Sequence, residues 1–278
     1  EGKRLVAFGK LAGIVGAYNA ILGYGKKLKN YKLKRCFEFE NYNELKKNIK
    51  QIKLPKMKIA VLGNGKVAKG CIEILKEFNI VEINRSQLVN EQFQLPVFCQ
   101  LTAKDYYIKN DDNSFAKKLF YNNPTDYKSN FEQYFDSIDI LINATYWNEK
   151  IPRIFTLNEM KSKKFKIKVI ADISCDIEGL IPCTLKSTTI ESPFYDYNTS
   201  KNEIQKEFES DKNVTIMAID NLPSELPVDA SINFGKQLIK NVINPLLNKE
   251  DKNRENLINA TITKNGQLTP NYLYLKSF

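Results

Sequence analysis

One stretch limits the fold of this chain more than any other: Lys56 to Leu75, KMKIAVLGNGKVAKGCIEIL. Ile59-Ala60-Val61-Leu62 is a short unbroken apolar run, as a strand covered on both faces requires. After it, Val67, Ile72, Leu75 and Phe78 are spaced for one face of a helix. Between the two stand Gly63-Asn64-Gly65-Lys66-Val67-Ala68, a GxGxxA pattern. In that setting Gly63 permits a tight turn, Gly65 lets a pyrophosphate approach the backbone, and Ala68 lets helix and strand pack closely. The first helical turn adds free N–H groups and the positive end of the helix dipole. The pattern alone fits a plain tight turn as well; the strand before it and the helix after it favour a dinucleotide site.

The rest of the chain repeats the alternation. IVEIN, DILINATYW, KVIADISCD and VTIMAIDNLPSELP read as strands, and LNEMKSKKF as a short helix. VDASINFGKQLIKNVINPLL reads as a longer helix with Pro227 near its first turn. Residues 86–135, rich in Asn, Tyr and Asp, read as irregular. Apolar strands alternating with helices predict an α/β fold with a parallel sheet buried on both faces. Ligands of such sheets lie at the C-terminal strand ends. The tips to watch are therefore residues 63–65, 84–86, 143–147, 172–176 and 220–221.

Leu5 to Gly25 is long enough to cross a membrane, at about 20 residues. Lys10 and five glycines dilute it, and Gly9, Ala12, Gly13, Gly16, Ala17 and Ala20 recur at helical spacing. Such a small-residue face admits another backbone or a ligand, so the reading is a buried helix. Residues 26–56, lysine-rich and polar, read as a connector with one helical piece near NYNELKKNIKQI.

Composition narrows the function classes. The chain has 42 Lys+Arg against 32 Asp+Glu, a surplus of +10. The lysines are scattered, without a basic stripe of interleaved aromatics, so no nucleic-acid partner is expected. Five cysteines without CxxC spacing, and no histidine, argue against a metal site. Free thiols suit a reducing cytoplasm. The chain begins at Glu1 without a signal-peptide pattern, and we expect the latter part of a longer protein.

At the tips, an NAD-specific site would carry an acid roughly 20 residues beyond the glycines. Here that tip reads Asn84-Arg85-Ser86, with Glu82 two residues back inside the strand. Arg85 and Ser86 can bind a 2′-phosphate, which favours NADP(H) over NAD(H); otherwise Arg85 is a solvated charge. Asp172, Asp176 and Asp220 are either cap and turn residues or carboxylates that orient a cationic group. Arg4 and Arg153 can hold anions. Tyr146 and Trp147 are either the wall of a ring site or core.

Several separated segments resemble one family. They are GKRLVAFGKLAGIVGAYNAI, LINATYWNEKIPRIFT, ADISCDIEG with STTIESPFYDYN, AIDNLPSELPVDASINFGKQLI, and ATITKNGQLTPNYLYL. Together they resemble the lysine–2-oxoglutarate reductases, or lysine-forming saccharopine dehydrogenases, relatives of alanine dehydrogenase. The resemblance implies two Rossmann-like domains, the first discontinuous, with a cleft between them. Residues 1–55 would be the linking helix and connector, 56–219 the NAD(P)-binding domain, and 220–278 the returning helix and the C-terminal part of the substrate domain. It implies hydride transfer to or from the imine joining lysine and 2-oxoglutarate, with saccharopine as product. Gly63, Asn64, Gly65, Lys66 and Val67 would hold the pyrophosphate, Asn84, Arg85 and Ser86 the adenosine ribose, and Asn143 and Tyr146 the cofactor's flank. Asp220, Asn221, Arg4 and Asp172 would face nicotinamide and substrate. The family's lysine–histidine proton shuttle would lie upstream of Glu1. An alanine-dehydrogenase-like enzyme and a non-catalytic nucleotide-binding relative are the alternatives.

Overall fold

The structure, a computed structural model, describes residues 4–248 and 250–277. The chain divides into two compact units: Gly9–Pro227, and Glu1–Phe8 together with Val228–Phe278.

In the larger unit, α1 (Gly9–Leu28) is followed by α2 (Tyr42–Ile49), β1 (Lys58–Leu62), α3 (Lys66–Glu77), β2 (Val81–Glu82) and α4 (Arg85–Asn90). Then come β3 (Val97–Leu101), α5 (Ala103–Tyr106), β4 (Tyr107–Lys109), α6 (Lys117–Asn122), β5 (Tyr127–Ser129), β6 (Ile140–Asn143) and β7 (Val169–Asp172). The unit closes with β8 (Tyr195–Asn198), β9 (Glu203–Gln205) and β10 (Val214–Met217). One sheet runs in the order β2-β3-β1-β6-β7-β10-β8-β9. Its first six strands are parallel, and β8 and β9 add antiparallel. The small ribbon β4–β5 is separate.

The apolar runs behave as parallel strands must: every residue of β1, β6, β7 and β10 is buried. One face is covered by α1, which crosses β6, β7 and β10, and by α3 beside β1. The other face is covered by an aromatic cluster that includes Tyr106, Phe120, Phe131, Tyr134, Phe135 and Phe155.

The small-residue face of α1 meets a backbone. A Cβ at Gly13 would stand 1.9 Å from the Val67 carbonyl oxygen, and one at Gly70 would stand 2.1 Å from that of Lys10. Two helices this close leave no room for any side chain. Among the described residues no helix is long and apolar enough to cross a membrane.

Two buried polar clusters fasten α1. Asn19 Nδ2 donates to Glu225 Oε1 at 2.8 Å, and Arg35 Nη2 reaches the same oxygen at 2.9 Å. At the other end Lys27 Nζ donates to Thr215 Oγ1 at 3.1 Å and lies 3.5 Å from Asp196 Oδ2. Burial lowers the Lys27 pKa, and Asp196 opposes that shift. Residues 9–55 thus pack with the sheet in one compact unit, Gly9–Pro227.

Three local expectations are corrected. Residues 86–135 are not irregular: they contain β3, a central strand. IVEIN yields only the two-residue β2 at the sheet edge. LNEMKSKKF yields a single 3-10 turn, Glu159–Lys161.

In the smaller unit, α7 (Pro227–Leu238), a π turn (Ile239–Ile243) and α8 (Asn244–Leu247) follow without a break. Pro245 has no N–H to continue the regular ladder, and the π turn precedes it. Phe8 stacks on Phe234 at 4.5 Å, and the Gln237 side chain bonds both backbone groups of Ala7. α9 (Arg254–Ala260) and the ribbon β11 (Thr263–Lys264) and β12 (Gln267–Leu268) complete the unit.

Candidate nucleotide-binding site

The turn after β1 is built as the glycine pattern demands. Gly63 has φ +105°, and a Cβ there would stand 2.7 Å from the Ala144 carbonyl oxygen. Its N–H donates to the Leu101 carbonyl at 2.8 Å, and its carbonyl accepts from Gln100 Nε2 at 2.8 Å. The turn is thereby held between the tips of β3 and β6. Gly65 is the N-cap of α3 and supplies no side-chain cap. A Cβ on Gly65 would meet nothing within 4 Å. Open space thus stands over the first turn of α3, where N–H groups favour an anion. Lys66 and Val67 open that turn.

A cavity of about 620 Å³ lies at this place, at the C-terminal ends of β1, β3 and β6. Gly63, Asn64 and Gly65 form one end. Thr102, Ala103 and Lys104 follow from the β3 tip, and Ala144, Thr145 and Tyr146 from the β6 tip. Tyr106, Tyr107, Phe115, Phe120 and Tyr121 supply an aromatic wall, and Lys117 a second cation. The opening is rich in ring faces: Tyr121 is 60% exposed and Tyr146 is 81% exposed. An open helix start, an aromatic slot and, among the described residues, no lining carboxylate fit a nucleotide.

The remaining expected residues divide. Asn143 is buried, and its polar atoms are used internally. Its Nδ2 donates to Asp172 Oδ1 at 2.9 Å and to Ser174 Oγ at 3.0 Å, while its Oδ1 accepts from the Thr145 N–H and hydroxyl. Asp172 also accepts from Ser174 at 2.8 Å and from Thr184 at 2.7 Å. Burial raises the Asp172 pKa, and bonds from Thr184, Ser174 and Asn143 oppose the shift. The two residues weld the β6 tip to the β7 tip. Asp172 is therefore a buried structural hub, not a carboxylate presented to a substrate. Asp220 and Asn221 are exposed just past β10 and lie outside this cavity. Arg4 is exposed in the smaller unit. Trp147 donates its indole N–H to the Ile151 carbonyl and packs against the aromatic core.

Asn84, Arg85 and Ser86 are not among the cavity's lining residues. The reason is topological. The strand beside β1 is β3, and β2 lies one strand further out. Asn84 is occupied as the N-cap of α4, accepting from the Gln87 N–H at 3.0 Å. Burial raises the Tyr134 pKa and the Arg85 charge opposes that shift, while the Tyr134 hydroxyl donates to the Asp105 carbonyl at 2.8 Å. The tip that adjoins the glycine turn is Thr102-Ala103-Lys104. Gln100 and this tip are missing from the sequence reading, although PVFCQLT carries a signal: an apolar, strand-forming run bounded by Pro96 and Thr102.

A match to the family described as "Alanine dehydrogenase/PNT, C-terminal domain" covers residues 47–271. The chain belongs to this family. Among solved structures, an L-alanine dehydrogenase superposes with a TM-score of 0.53 at 15% identity, covering 97% of this chain and 63% of that one. This likeness shows the fold: a Rossmann-like α/β domain with a mostly parallel sheet. The mitochondrial alpha-aminoadipic semialdehyde synthase of Mus musculus is 27% identical over 327 residues, which span 99% of this chain and 35% of that protein. Its Arabidopsis thaliana counterpart is 27% identical over 315 residues, covering 99% of this chain and 29% of its own. A Candida albicans saccharopine dehydrogenase, named as NAD(+)-dependent and L-lysine-forming, is 27% identical over 87% of this chain and 59% of its own. The chain thus spans about a third of the first curated relatives it matches.

Proposed function

We propose that this chain is the nicotinamide-coenzyme-binding part of an oxidoreductase of lysine metabolism. The carrying observation is the cavity at the GxGxxA turn, with Gly65 standing over open space and no side chain capping α3. Relatives named for saccharopine and aminoadipic semialdehyde chemistry, aligned along nearly the whole chain, support the substrate class.

In this reading the coenzyme, when bound, would supply or receive the hydride exchanged with the imine joining lysine and 2-oxoglutarate. The chain's own residues bind and orient. Gly63, Asn64, Gly65, Lys66 and Val67 hold the pyrophosphate, and Tyr146 covers the coenzyme on the β6 side. Asp220 and Asn221 are the proposed contacts to nicotinamide and substrate. A proton shuttle is needed for imine formation, and lysine, tyrosine or carboxylate side chains can serve as well as histidine.

The test is turnover by the protein in its natural length. Consumption of reduced coenzyme on mixing lysine with 2-oxoglutarate is expected. Turnover only with pyruvate and ammonia would shift the reading to an alanine-dehydrogenase-like enzyme. Coenzyme binding without turnover on either pair would make it a non-catalytic nucleotide-binding relative.

A further inference from the structure

We propose that a pocket at the opposite end of the sheet from the glycine turn binds the phosphate group of a small phosphomonoester. It shares no lining residue with the coenzyme cavity, so it stands or falls apart from the coenzyme reading. Its volume is about 340 Å³, at the small end of the range for ligand sites. It lies at the N-terminal ends of β1, β6 and β7, wholly within the larger unit.

Backbone bonds hold its walls together. The Lys58 carbonyl accepts the Asp139 N–H at 2.9 Å, and the Asp139 carbonyl accepts the Lys168 N–H at 2.9 Å. Lys58, Asp139 and Lys168 are thus consecutive rungs at the foot of three neighbouring strands, which lie about 5 Å apart. The Lys166 N–H donates to the Phe135 carbonyl at 2.8 Å, which holds that lysine against the same wall. Met57 and Ile167, each between two lysines, are buried. Lys56, Lys58, Lys166 and Lys168 are left to line the pocket.

The charge of these four is not cancelled. Among the described residues none of them is in an ion pair. Lys58 is only 9% exposed, and its ammonium donates to the Leu88 and Glu91 carbonyls at 2.8 and 2.6 Å. Those oxygens are neutral: they solvate the ammonium, leave it a third N–H, and do not neutralise it. Burial lowers the Lys58 pKa, and Asp139, Asp136 and Glu91 oppose the shift without reversing it. Asp136 and Asp139 are the carboxylates of the lining. One Asp139 oxygen is taken by the Lys58 N–H at 2.9 Å, and Asp136 accepts the Ser137 hydroxyl at 3.2 Å. Four lysines against two acids leave a surplus of two positive charges, which matches the charge of one phosphomonoester near neutral pH. Among the described residues no arginine lines the pocket. The planar two-point grip that suits a carboxylate is therefore missing, while point-like ammonium groups suit a phosphate.

The test uses the protein in its natural length and isothermal titration with inorganic phosphate, glycerol 3-phosphate and succinate. Both phosphates are expected to bind, and succinate to bind at least about tenfold more weakly than glycerol 3-phosphate, the affinity equivalent of one charge-assisted hydrogen bond. Lys166→Ala and Lys168→Ala each weaken glycerol 3-phosphate by a similar factor, and Lys168→Arg restores much of the loss. Lys104→Ala, at the coenzyme cavity, leaves its affinity unchanged. Circular dichroism confirms that the variants are folded.

Binding of neither phosphate would overturn the site. An equal loss in Lys104→Ala would overturn it too, by showing attraction to net charge or binding beside the glycine turn. Succinate binding as tightly as glycerol 3-phosphate would overturn the assignment to a phosphate. None of these outcomes touches the coenzyme reading, which is tested by coenzyme turnover.

Discussion

The two units of this chain treat their apolar residues in opposite ways. In the unit spanning residues 9–227 the parallel strands β1, β6, β7 and β10 are buried along their whole length, and charged groups that enter the interior meet partners there. In the unit of residues 4–8 and 228–277, Ala230 and Pro245 are the buried residues among those described. Ile232, Ile239, Leu246, Leu247, Ile258 and Tyr274 are exposed. Both units contain amphipathic helices. The larger one offers a sheet for α1 and α3 to cover, whereas among the described residues the smaller one has only a ribbon of two two-residue strands. Helix periodicity records that a face is apolar, not whether its own unit covers it. Contiguous uncovered apolar surface is the kind that takes part in association.

The largest effect that can break this contrast is fragment folding. Residues 9–227 produced alone should unfold in one cooperative urea transition and retain nucleotide affinity. Residues 56–219 should not, because they lack α1, Arg35 and Glu225. A cooperative transition in the shorter fragment would return the boundary to 56 and remove α1 from the core.

Next in size is the contact of α1 with α3. Gly13→Val introduces atoms where the Val67 carbonyl already stands, and neither backbone can yield locally. The expected loss is about 3 kcal/mol or more, at the upper end for overpacked cores. A urea midpoint within error of the wild type would show that the helices pack less closely than described.

The buried Glu225 gives a sharper comparison between the units. It is 0% exposed, and both Asn19 and Arg35 bond one of its oxygens. Removing one partner of a buried pair leaves an uncompensated charge, so Glu225→Ala should cost about 3–5 kcal/mol. Leu247→Ser in the other unit, at a side chain 82% exposed, should change the same transition by no more than about 0.5 kcal/mol. Comparable losses for both would mean that Leu247 is covered after all.

These contrasts also mark what was readable in the residues. The turn from Gly63 to Ala68 was legible because a positive-φ glycine, an open glycine and a helix start all leave a local signature. So was the backbone contact on α1, because small residues at helical spacing have few other uses. Long-range order was not legible. IVEIN and PVFCQLT are both plausible strands, and only the sheet as a whole decides which pairs with β1. That one choice puts the tip of β3, and not that of β2, beside the glycine turn. The fate of Asp172 was hidden for a similar reason. A carboxylate at a strand tip reads the same whether it faces a substrate or, as here, accepts hydrogen bonds from Asn143, Ser174 and Thr184.

The smallest effect concerns the thiols, and it compares positions inside the larger unit. Cys36, Cys71, Cys99 and Cys183 are buried, whereas Cys175 is half-buried just beyond the β7 tip. Its Sγ lies 3.0 Å from the Ala218 carbonyl oxygen. Burial pushes the Cys175 thiol up to about 11, and the carboxylates of Asp172, Asp220 and Asp176 push it the same way. The thiolate is the reactive form, so little of it exists at neutral pH. Its fraction then rises about tenfold for each pH unit below the pKa. Alkylation by iodoacetamide, followed by mass spectrometry, should therefore label Cys175 first, slowly near neutrality and steeply faster toward pH 10. Asp220→Asn should speed the reaction severalfold at a given pH, because it removes one of the negative charges that hold the proton on sulfur. An unchanged rate in that variant would place the Asp220 carboxylate away from the β7 tip, and with it the proposed contact of Asp220 with the reacting end of the coenzyme.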